Sequence, residues 1–131
     1  MCDNKTRKDL TIFSIVENQN LQQAVQRAAT PQYNLVLHNN PIAALDELRE
    51  KNPDVILFNY DDYPDYWESV YLFSKSNLNN CKFILLFGRI FLINDSSKAE
   101  FLGVDLLPWH TDTRSFVADL KEKLERLEHV I

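Results

Sequence analysis

The sequence predicts an α/β domain, a five-stranded parallel sheet covered by helices on both faces. Three observations carry that expectation. Five apolar runs of strand length alternate with amphipathic segments of helix length along the 131 residues. The third run, Val55-Ile56-Leu57-Phe58, is apolar throughout, as a strand buried on both faces must be. Strand-then-helix repetition requires right-handed crossovers, which place helices on both sides of one sheet.

The elements follow in order. Leu10–Val16 is the first strand. The next segment, Leu21–Ala29, places Leu21, Ala24, Val25 and Ala28 at the 3-4 spacing of one helical face. Tyr33–His38 is the second strand. Pro41 then opens a helix through Lys51, with Ile42, Leu45 and Leu48 inward, and proline in a first turn gives up no needed N–H. Asn52-Pro53 launches the third strand, which Asn59 closes. Asp65–Lys75 reads as a helix capped by Pro64-Asp65, with Trp67, Val70, Tyr71 and Phe73 as packing residues. Lys82–Phe87 is the fourth strand. A helix beginning near Asn94-Asp95 ends at Gly103, a natural C-terminal stop. Val104–Leu107 is a short fifth strand and Thr113–Val130 the last helix. Its Val117, Leu120, Leu124, Leu127 and Ile131 form a seam that either covers the sheet or pairs with a second copy.

Composition narrows the function. The net charge is -5 without a basic block, a poor basis for nucleic-acid binding. Cys2 and Cys81 give no disulfide framework or zinc site and suit a reducing cytoplasm. No apolar stretch approaches the length of a membrane span. With only Gly88 and Gly103, no glycine-rich phosphate loop can be written. No cofactor and no metal site is expected, and His38 and His110 have no partner at ligand spacing.

One stretch resembles a known family. Tyr33-Asn34-Leu35-Val36-Leu37, the alanine-bearing helix Ala43 to Glu50 and the Lys51-Asn52-Pro53-Asp54 entry to the third strand look like the receiver domains of two-component response regulators. Ala99, Gly103-Val104-Asp105 and the closing helix extend the likeness to roughly Asp9–Leu127, a single domain. The resemblance implies a flavodoxin-like (CheY-like) three-layer sandwich with strand order 2-1-3-4-5 and five helices. It also implies a role in cytoplasmic signal transduction, with protein partners and a dimer face on the fourth helix, fifth strand and fifth helix. The family's switch aromatic falls on Leu107.

The chemistry departs from that family. The receiver's metal-holding acidic pair maps onto Glu17 and Asn18, its phosphoacceptor Asp onto Asn59, and its hydroxyl residue onto Phe87. Its lysine maps onto His110, or onto Trp109 with one gap. An amide nitrogen delocalised into its carbonyl does not attack a phosphoryl donor, and Mg²⁺ needs carboxylate oxygens. Phe87 is expected to fill the pocket. The reading is therefore a pseudo-receiver, not an enzyme, acting by protein–protein interaction. Two alternatives stay open. Asp61 or Asp62 is a substitute acceptor, although a continued strand puts Asp61 about 7 Å beyond Asn59 and both suit a solvated loop. Otherwise the vacated pocket takes a small molecule among Phe87, Trp109 and Tyr60. Tyr60, Tyr63, Tyr66, Trp67 and Tyr71 crowd one segment, and the first four are read either as a lid or as an interface.

Overall fold

The computed structural model describes residues 10–78, 80–88, 93–109 and 112–130, with backbone alone at 93 and 128–130. His110 and Ile131 lie outside these residues. The elements are β1 (Thr11–Ile15), α1 (Gln19–Ala29), β2 (Asn34–His38), α2 (Pro41–Lys51), β3 (Val55–Asn59), α3 (Trp67–Asn77), β4 (Lys82–Phe87), α4 (Ile93–Leu102), β5 (Asp105–Pro108) and α5 (Thr113–Val130). The strands form one parallel sheet in the order β2-β1-β3-β4-β5. This is the expected flavodoxin-like α/β sandwich.

Period-2 alternation divides the sheet between two cores. Ile12, Val16, Val55, Leu57, Ile84, Leu86 and Leu107 face α1 and α5, where they meet Leu21, Val25, Phe116, Leu120 and Leu124. Phe13, Ile15, Ile56, Phe58, Phe83 and Leu85 face α2, α3 and α4, packing on Leu48, Trp67, Val70 and Ala99. Central β3 is buried along its whole length, which is why it reads as an unbroken apolar run. The α5 seam is core packing: Leu120 and Leu124 are buried, and Val117 and Leu127 press on the same cluster.

Two helix starts show what sets the boundaries. Asn18 caps α1, its side chain accepting from Leu21 N–H, so the helix begins two residues before its first apolar position. The third helix was expected to start at Asp65, capped by Pro64-Asp65. It starts at Trp67, preceded by Tyr66 with no side-chain cap, because residues 64–66 are taken up in turns. At the far end of α4, Gly103 has φ 72°, the left-handed stop that glycine adopts without a Cβ penalty. Among the described residues no helix is long and apolar enough to cross a membrane.

Candidate functional site

The carboxyl ends of β1, β3, β4 and β5 share one rim, the place where open α/β sheets collect ligands and chemistry. Asn59 stands at its centre, fully buried. A buried primary amide must satisfy both its acceptor and its donor, and here it does. Its Oδ1 accepts from the Trp109 indole N–H at 3.1 Å. Its Nδ2 donates to Asp62 Oδ2 at 2.7 Å. That same carboxylate oxygen accepts from the backbone N–H groups of Glu17 at 2.6 Å and Asn18 at 3.0 Å. One oxygen thus ties the end of β3 to the loop before α1. A negative charge there also lies at the favourable end of the helix dipole.

The expectation of solvated loop carboxylates at Asp61 and Asp62 is corrected by these contacts. The chain does not run on as a strand after Asn59. Tyr63 N–H bonds back to the Asn59 carbonyl at 3.4 Å, and the turn returns Asp62 beneath the Asn59 amide. Asp61 is held as well, its Oδ1 accepting from Gly88 N–H at 3.2 Å. Gly88 is itself required by Trp109: a Cβ at that position would lie 2.7 Å from the indole ring. The sequence showed Gly88 only as one of two glycines; the signal for its role was its place directly after β4, where the aromatic after β5 folds across.

Phe87 also departs from expectation. Asn59 pairs in register with Leu86, so the next residue along β4 points through the opposite face. Phe87 packs with the α2–α4 cluster, not in the pocket beside Asn59. Of the two positions considered for the family's lysine, Trp109 donates to the Asn59 carboxamide, whereas His110 lies outside the described residues.

The tyrosine-rich segment splits by depth. Tyr60, Trp67 and Leu107 are buried, which withdraws them from any surface offered to a partner. Tyr66 is exposed and Tyr63 half-buried. Tyr60 Oη donates to Asp95 Oδ2 at 2.6 Å, and Tyr63 Oη donates to the Asn39 carbonyl. Burial, with the nearby Glu17 and Asp62 charges, pushes the Tyr63 phenol up to about 12. The smaller polar site at His38, stacked on Phe13, pairs its Nε2 with the Glu47 carboxylate.

These residues do not fit a magnesium ion. Mg²⁺ asks for a near-octahedral set of oxygens and binds through carboxylates. Asn18 turns its oxygen to Leu21 N–H, Asn59 uses both polar atoms, and Asp62 Oδ2 is engaged by three donors. Glu17 is left as the one uncommitted carboxylate among the aligned positions.

The fold has close structural counterparts. The receiver domain of CheB from Thermotoga maritima superposes with a TM-score of 0.72 at 14% identity, over 93% of this chain and 98% of that one. The signal receiver domain of the response regulator NarL from Mycobacterium tuberculosis gives 0.71 at 18% identity, covering 92% and 98%. The pilus assembly protein CpaE from Caulobacter crescentus gives 0.64 at 9% identity, covering 91% and 96%. At such identities the likeness is one of fold. No curated protein matches in sequence. A family model described as TP_0454_N, N-terminal domain, matches residues 10–104. Since that match takes in most of both cores and the whole of β1 to α4, the chain belongs to the TP_0454_N N-terminal domain family.

Proposed function

We propose that this chain is a receiver-fold signalling module that works without phosphorylation, by binding a protein partner, in the cytoplasm and without catalysis. The observation that carries the reading is Asn59. The residue at the acceptor position is a fully buried carboxamide whose donor and acceptor are both in use. It offers no nucleophile, and the side chains around it close the space a phosphoryl group would need. The receiver-like neighbours support a role in two-component-type signalling.

The docking surface we favour, for a partner or for a second copy of the chain, is the face formed by α4, β5 and α5 that the receiver resemblance implies. Phe101, 89% exposed, is an apolar side chain that α4 offers to solvent. Leu107 takes no direct part in it.

The substitute-acceptor reading has one observation in its favour, since Asp62 does reach the rim beside Glu17. The three hydrogen bonds on Asp62 all end on Oδ2, however, which leaves attack to the Oδ1 of a carboxylate whose charge those donors already hold. Incubation of the full chain with Mg²⁺ and acetyl phosphate distinguishes the two. The expected mass is unchanged, and beryllofluoride leaves the melting temperature where it was. A gain of one phosphoryl group mapped to Asp61 or Asp62 overturns the proposal.

A further inference from the structure

Four consecutive side chains after β3 reach four different parts of the rim. Tyr60 Oη donates to Asp95 on α4. Asp61 accepts from Gly88 N–H, after β4. Asp62 accepts from Glu17 and Asn18 N–H, between β1 and α1. Tyr63 Oη donates to the Asn39 carbonyl, between β2 and α2. An extended strand would send these side chains alternately to two faces. Here successive turns, with Tyr63 N–H on the Asn59 carbonyl and Tyr66 N–H on the Tyr63 carbonyl, fan them out like spokes.

A single hydrogen bond contributes about 1 kcal/mol net, too little to hold a loop closed against its own entropy. Four pins on four adjacent residues differ from four isolated pins. Each fixes the backbone that aims the next, so losing one loosens the others. Closure also covers groups that cannot be left to water piecemeal: Asn59 is at 0% exposure and Tyr60 at 4%.

We propose that Tyr60–Tyr63 is one strap, opening and closing as a unit, and that its release is the conformational switch of this module. The inference rests on the reading that no acyl phosphate forms at the rim. In an ordinary two-state switch a ligand shifts the balance by binding one state better. A partner that engages any one spoke would shift all four, reaching from α4 to the β2–α2 turn without chemistry at Asn59.

Amide hydrogen exchange on the full chain, followed by NMR, tests the strap. Asp62→Ala removes the pin to Glu17 and Asn18. A unit requires that Gly88 N–H, which bonds Asp61 and not Asp62, exchange faster by about the same factor as Asn18 N–H, on the order of tenfold. Chymotrypsin should then nick the variant after Tyr60, the Tyr63–Pro64 bond being resistant, under conditions that spare the wild type. Faster exchange at Glu17 and Asn18 with Gly88 unchanged overturns the proposal, because the pins are then independent. Should Asp62→Ala fail to fold, Tyr63→Phe opens the strap from its other end; the Gly88 and Asn18 amides must again quicken together, and no change in them overturns it. Phosphoryl uptake at Asp61 or Asp62 would sink the pseudo-receiver reading without altering coupled exchange, so the two failures are separable.

Discussion

Leu57 and Asn59 lie two residues apart on the same face of β3, both fully buried, and they are held by different physics. Leu57 sits among Val55, Ile84 and Leu86, where burial is non-directional and any apolar side chain of similar volume serves. Asn59 sits between an indole donor and a carboxylate acceptor, where only a group that accepts on one side and donates on the other will do. The lower layer can exchange its residues and keep its shape, which is how receiver-like neighbours superpose at 14–18% identity. The rim cannot. There each polar group fixes what its partner must be.

The largest expected effect tests the lower layer. Leu57→Ala should destabilise the chain by about 2–5 kcal/mol, the range for a deleted core leucine, with an unchanged slope in urea. Trp109 packs against the same cluster as Leu57, but its indole N–H is held by Asn59, so the exchange rate of that N–H, followed by NMR before unfolding, should stay as in the wild type. Faster exchange there in that variant would show that core and rim are one unit and break the contrast drawn between them.

Asn59→Asp comes next, with an expected cost of about 1–3 kcal/mol. The substitution introduces the residue type that the receiver resemblance implies at this position, yet it removes the donor to Asp62 and sets two carboxylates at 2.7 Å. The cost should shrink as the pH falls, beginning above the ordinary carboxylate range, because two carboxylates this close take up one shared proton early and that proton returns a donor to the pair. It should not restore Mg²⁺ binding by itself, since Asn18 remains a helix cap. Titration calorimetry showing tight Mg²⁺ binding, or a neutral effect on stability, would mean that the rim tolerates a bare charge and that its hydrogen bonds are dispensable.

The same contrast explains what the sequence disclosed. Strand and helix order, the sheet's sidedness and the α5 seam were legible because they depend on periodicity, and periodicity is a property of local sequence. Asn59 and Trp109 were legible as rim residues because strand ends can be counted. Phe87 was placed in the pocket because the inter-strand register, Asn59 against Leu86, is not written in either strand alone. Asp62 was placed in solvent because one turn after Asn59 reverses its direction, and nothing short of the folded backbone gives the angle. Directional contacts between distant loops were the part that could not be read.

Alkaline titration compares the two layers on one axis. Burial, with Asp54 nearby, pushes the Cys81 thiol from its ordinary 9.0 up to about 12. Tyr63 rises from 10.0 to about 12 at the rim. Both groups are charged when deprotonated, and the folded state resists that charge. Their contribution is complete below pH 9, and stability falls from there towards pH 12 as the unfolded chain releases protons first. The limiting slope is about 1.4 kcal/mol per pH unit for one proton, and solvent screening narrows the pH window over which part-exposed Tyr63 contributes it. Cys81→Ala should therefore flatten the decline between pH 9 and 10, and Tyr63→Phe only above 10. Identical profiles for the two variants would assign the alkaline loss to neither group.

The smallest expected effect sits where the layers meet. Asn18 belongs to the rim by position, since its N–H holds Asp62, and to the fold by function, since its side chain caps α1. Asn18→Ala removes the cap and leaves the backbone N–H in place, so it should cost about 1 kcal/mol, the usual price of a lost helix cap, without freeing the strap. Asn18→Asp keeps an acceptor for Leu21 N–H and should fold as well as the wild type, but it brings a second carboxylate towards Asp62. Chemical denaturation followed by circular dichroism, with NMR exchange of the Trp109 indole N–H as the probe of the rim, reads both. If Asn18→Ala loosens the rim as much as it loosens α1, the capping side chain is what positions the N–H pair under Asp62, and the boundary between fold and site lies one residue further into the helix.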